Sequence, residues 1–89
     1  MDMYVKLKLK CLQWRKSPEV FSEIVLFVLQ AHPERMRRWA DEFECSVPTL
    51  QRWAHGSHKP PALTQRYVVN RFLMEANRNI LLDTLKTSG

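Results

Sequence analysis

Cys45, His55 and His58 are the residues most suggestive of chemistry, since a thiol and two imidazoles within one short stretch invite a zinc reading. Zinc takes four ligands at characteristic spacings. Theirs fits no common zinc pattern and no fourth ligand stands nearby, so no metal is expected. Ser, His and Asp residues all occur, but no nucleophile motif or Gly-rich phosphate loop frames them. With two glycines in the whole chain and no acidic cluster, the expectation is a protein that is not an enzyme and needs no cofactor. What remains is polar and cationic: Gln51, Arg52, His55, Ser57, His58 and Lys59, crowded behind Val47, Pro48 and Thr49.

The charge balance points the same way. The 89 residues carry a formal net charge of +5, and a basic chain favours polyanions, nucleic acid first among them. Residues 1–16 set Lys6, Lys8, Lys10, Arg15 and Lys16 against Asp2 alone, whereas residues 17–32 carry only Glu19 and Glu23. The surplus lies at the two ends, around a nearly neutral centre. That pattern suits an anionic membrane surface nearly as well as DNA, so charge alone does not decide. Cys11 and Cys45 make no disulfide framework, and no continuous apolar stretch resembles a signal peptide or a membrane span. The expected setting is a reducing cytoplasm, with no membrane partner.

These side chains must be positioned by local elements. Ser17-Pro18-Glu19 predicts a helix start, with serine as cap and proline in the first turn. That helix extends to about Ala31, with Val20, Ile24, Phe27 and Ala31 on one face and Phe21, Val25 and Val28 widening it. Pro33 ends it and opens a second helix over Glu34 to Phe43. There Met36, Trp39, Ala40 and Phe43 share a face, and Arg37–Asp41 and Arg38–Glu42 are spaced to pair weakly. After a short turn at Glu44-Cys45, Ser46 caps a third helix, Val47 to about His55, which Gly56 stops. A last helix is expected over Ala62 to Lys86, striped by Val69, Leu73, Ala76 and Ile80, with Asn77-Arg78-Asn79 as a place for a break. Residues past that point are available to cover a second subunit. Residues 4–12 are ambiguous. Val5, Leu7, Leu9 and Cys11 alternate with lysines as in a strand, while Met3, Leu7, Cys11 and Trp14 fit a helical stripe. A strand there would have to pair with another subunit. The reading is therefore all-α, a four- or five-helix bundle with an optional N-terminal strand. Residues 1–16 form a basic arm or strand and residues 17–86 the domain proper.

Two short helices joined by a tight turn cross steeply, and a small side chain must occupy the crossing. Ala40 is that residue. Trp39 and Trp53 read as core residues around it.

The ordered set Ala40, Glu44, Cys45, Ser46, Thr49, Leu50, Arg52, Trp53, Gly56 and Pro60 resembles the helix-turn-helix of phage repressors and Cro-like regulators. Glu44 stands where that family usually has glycine, and Pro48 replaces a side chain able to hydrogen-bond to a base. If position 44 needs a positive φ, a non-glycine residue there costs on the order of 1 kcal/mol.

The resemblance implies that the 47–55 helix enters the major groove of double-stranded DNA. Val47 and Pro48 would lead, limited to thymine methyls or groove shape. Gln51 would favour adenine and Arg52 would bridge guanine O6 and N7. Thr49, His55, Ser57, His58 and Lys59 would meet the phosphate backbone. The implied function is a sequence-specific transcriptional regulator, a repressor acting as a homodimer, with a regulatory protein partner as an option. The competing readings are a helical protein-interaction module that never touches DNA and a membrane-surface protein attached through its N-terminal lysines.

Overall fold

A computed structural model describes residues 2–87 as five α-helices in one bundle: α1 (Met3–Trp14), α2 (Phe21–Ala31), α3 (Met36–Glu42), α4 (Val47–His55) and α5 (Ala62–Thr87). There is no strand among the described residues. The protein is all-α.

The strand alternative for residues 4–12 is thereby corrected. Asp2 caps α1, its Oδ1 accepting the Tyr4 N–H at 2.9 Å. Leu7 and Cys11, four apart and so on one helical face, are the two side chains α1 buries, while Leu9 points to solvent. Both join the common core, with Tyr4 and Trp14 packed against it. Residues 1–16 were expected as a basic arm or strand. Their described part is instead a helix laid against α5, the most extensive helix pair in the molecule.

The joints bear on the site. Ser17 makes no side-chain cap; Pro18–Val20 forms a 3₁₀ turn and α2 proper begins at Phe21. The buried face of α2 is Phe21, Ile24, Val25, Val28 and Leu29. It is rotated from the expected stripe, and Phe27 is only half-buried, with the Lys10 ammonium 5.8 Å from its ring centroid. Pro33–Arg35 is a second 3₁₀ turn, so α3 starts at Met36 and ends at Glu42, shorter than expected at both ends.

Neither i,i+4 ion pair expected on α3 forms among the described residues. Glu42 instead accepts from Arg71 Nε on α5, and Arg35 Nη1 stands 3.8 Å from Glu75. Aromatic rings reinforce this α3–α5 contact. Trp39 meets Phe72 edge-on with centroids 4.9 Å apart, and Phe43 meets it at 5.4 Å. Such pairs add about 0.5–1.5 kcal/mol each beyond the area they bury.

α5 is unbroken through Asn77-Arg78-Asn79. The Asn79 amide donates back to the Glu75 carbonyl at 2.8 Å, a bond compatible with a continuing helix. Val68, Val69, Phe72 and Ala76 are its buried side chains, with Leu73 only packed against the core. Past Ile80 the leucines of the helix face solvent, with Leu81 59% and Leu85 60% exposed. No helix among the described residues is long and apolar enough to cross a membrane.

Candidate nucleic-acid interface

The site is built from α3, its turn and α4. Trp39 and Ala40 are the buried residues of α3. The Cys45 N–H donates to the Ala40 carbonyl at 2.9 Å and the Glu44 N–H to that of Asp41 at 3.2 Å, closing the turn. Glu44 sits at φ 52°, the one non-glycine residue with positive φ among those described. The position does require the left-handed backbone that glycine adopts without strain.

α4 follows its local instructions at both ends. Ser46 Oγ accepts the Thr49 N–H at 3.2 Å, and Pro48 sits in the first turn, where no helical bond is lost. At the far end Gly56 adopts φ 76°. Its N–H donates to Trp53 O at 3.2 Å and the Ser57 N–H to Arg52 O at 3.1 Å, the paired bonds of a Schellman cap. Leu50, Trp53 and Ala54 turn inward. α4 packs mainly on α2, where Phe21 and Trp53 approach with ring centroids 6.1 Å apart. The Trp53 indole N–H is buried without a hydrogen-bond partner, so this tryptophan packs and presents nothing to a ligand.

The opposite face of α4 is Pro48, Gln51, Arg52 and His55, all exposed. Their spacing of three, four and seven residues places them on one side of a helix. Arg52 extends into solvent. Gln51 is steadied by Met36 of α3, its Nε2 donating to the thioether sulfur at 3.6 Å. Ser57, His58 and Lys59 are exposed beyond the cap, although the Ser57 hydroxyl is turned to the Arg52 carbonyl at 3.4 Å.

The other two residues expected at the interface are placed differently. Val47 is half-buried and packs against the core. Thr49 is half-buried, and its Oγ1 lies 2.9 Å from Ser46 Oγ.

No family model, curated protein or solved structure matches this chain.

His55 and His58 are exposed, and burial of the half-buried Cys45 raises its thiol above the ordinary value. No three His, Cys, Asp or Glu side chains among the described residues converge to hold a metal ion. Both cysteines are free thiols.

One positioning residue had no signature in the sequence. Gln65 on α5 donates from Nε2 to the Pro60 carbonyl at 2.9 Å, and its Oε1 accepts from Trp14 Nε1 of α1 at 3.3 Å. This side chain pins the loop that leaves α4. The bond to Trp14 depends on where α1 packs, and no local pattern reports that.

Proposed function

We propose that the protein is a sequence-specific double-stranded DNA-binding regulator that lays α4 in the major groove. The observation carrying this reading is the exposed row Pro48, Gln51, Arg52 and His55, held on a helix capped at both ends and braced by α3. Arg52 would bridge guanine O6 and N7, and Gln51 would pair with adenine. Pro48 and the exposed edge of Val47 would meet thymine methyls or the groove wall. His55, Ser57, His58 and Lys59 would lie along the phosphates, and Thr49 would reach them only by releasing Ser46. Regulation would follow from concentration, operator arrangement or a protein partner. Repression by a homodimer in the reducing cytoplasm is the form this takes, with half-sites about one helical turn apart.

Selection of bound duplexes from a random library is the direct test. The expected result is a preferred site with two-fold symmetry, bound with an affinity that falls steeply as salt rises. An affinity indifferent to sequence and salt would end the proposal.

A second reading has an observation of its own. The solvent-facing leucines at the end of α5 suit a protein-interaction module. Such a module would show no saturable duplex binding at about 0.15 M salt, a concentration at which DNA-binding proteins still bind even non-specific sequence.

A further inference from the structure

The arginines outside α4 divide by whether an acid answers them. Arg35 has Glu75 and Arg71 has Glu42. Arg15, Arg37, Arg38, Arg66 and Arg78 are exposed and form no ion pair among the described residues, and of these Arg15 and Arg66 come together. Together they line one open cleft with Trp14 and Pro18, and no acidic side chain lines it.

The pairing is built by the fold. Arg15 ends α1 and Arg66 lies in the first turns of α5, far apart in sequence. The Trp14–Gln65–Pro60 hydrogen bonds tie the end of α1, the start of α5 and the loop leaving α4 into one corner. Lys16 adjoins Arg15 and Lys59 adjoins Pro60, both exposed. Gly56, which ends α4, lies against Ser22 of α2, only a few residues along the chain from Arg15-Lys16. Arg15 and Arg66 thus share one cleft, and Lys16 and Lys59 add positive charge on the chain segments tied into the same corner.

The geometry points to a phosphate clamp: Arg15, Lys16, Lys59 and Arg66 take backbone phosphates of nucleic acid flanking the groove that α4 enters. This rests on the DNA-binding reading above and extends the contact to a surface made jointly by α1 and α5. Guanidinium groups match phosphate oxygens in pairs, while lysines act as point charges. At Arg35 or Arg71 a phosphate would have to displace a carboxylate; here nothing has to be displaced. Contacts of this class position the protein and carry no sequence information. The clamp therefore sets affinity and salt dependence, and α4 sets preference.

The test compares wild type, the double variant Arg15→Gln/Arg66→Gln, the charge-keeping double variant Arg15→Lys/Arg66→Lys, and Arg52→Ala. Each is titrated with the selected duplex and a scrambled one across a salt series. All three substituted side chains are exposed, and a thermal melt checks that each variant folds. The glutamine variant should weaken both duplexes by a similar factor. It should also flatten the log affinity against log salt slope by about 0.9 for each phosphate lost. The lysine variant should keep the slope, and Arg52→Ala should chiefly shrink the ratio between the two duplexes.

A glutamine variant with the wild-type slope overturns the clamp and leaves α4 binding standing. Absence of any wild-type duplex binding overturns both. Sedimentation with phosphatidylserine vesicles that needs Arg15 and Arg66, alongside an unchanged duplex slope, assigns the patch to a membrane surface and also overturns the clamp.

Discussion

The Ala40 carbonyl and the Cys45 amide meet at 2.9 Å across the turn between α3 and α4, and the closure holds the intervening Glu44 at φ 52°. A side chain with a Cβ is strained there by about 1–2 kcal/mol. Glu44→Gly relieves that strain but gives back about 0.4–1 kcal/mol through a more flexible unfolded chain. The net expectation is a gain of about 0.5–1 kcal/mol, a rise of several degrees in Tm. Glu44→Val should move Tm the other way, because a β-branched residue tolerates this backbone least. Thermal melts of the three proteins decide it; a melting point lowered by glycine would mean the turn relaxes in solution.

Gly56 provides the complementary case. A Cβ there would meet only Ser22 side-chain atoms at ordinary contact distance, 3.7 Å and beyond. Space is available, and the demand is conformational: φ 76° at the residue that completes the Schellman cap. Gly56→Ala should cost about 1 kcal/mol and Gly56→Asn less, because asparagine tolerates the left-handed region better. Denaturant unfolding would show this as an ordered series of midpoints with equal m-values.

These two turns explain why the site was more legible than its surroundings. Ser46, Pro48 and Gly56 act on their own few residues, so the bounds of α4 and the face shared by Gln51 and Arg52 could be read from sequence. Cap chemistry and helical period are local. The rest depended on distant partners. For α1, Leu7 and Cys11 fit a strand and a helix alike, and packing against α5 chose between them. Asn79 carries a helix-breaking propensity, but its amide returns to Glu75 and the helix continues. Glu42 had Arg38 available along its own helix and bonds Arg71 instead, because α5 lies alongside. The inward turn of Val47 and the Trp14–Gln65 bond belong to the same class.

Burial pushes the Cys11 thiol from an ordinary 9.0 up to about 12. The group binds its proton more tightly folded than unfolded, so stability is intact below pH 9 and declines as pH climbs toward 12. Within that window the loss is about 1.4 kcal/mol per pH unit. Lysines and tyrosines titrate there too, so Cys11→Ala is the reference. Urea unfolding under reducing conditions at pH 8, 9 and 10 should show wild type losing stability faster than Cys11→Ala. Parallel pH profiles would mean the thiol reaches solvent in the native state. Cys11 should also resist alkylation at pH 8 until the protein unfolds.

Arg52 and Ala40 separate reading from support on the same small platform. Arg52 is exposed and its side chain has no ion-pair or hydrogen-bond partner among the described residues, so Arg52→Ala should change stability by no more than about 0.5 kcal/mol, as expected for surface substitutions, and Tm by at most a few degrees. Under the proposed function it should weaken the selected duplex by about 1–3 kcal/mol and relax preference at one base position. Ala40 is 2% exposed in α3, and its carbonyl closes the turn. Ala40→Leu forces three further carbons into a packed region, at about 1–3 kcal/mol or more. For a domain this short that is a large share of total stability, so Tm should collapse and duplex binding should fall in proportion to the unfolded fraction. Circular dichroism melts paired with gel shifts distinguish the two effects. An Arg52→Ala protein that melts early, or an Ala40→Leu protein that stays folded yet cannot bind, would show that α4 is held by contacts other than the turn and the α3 face beneath it.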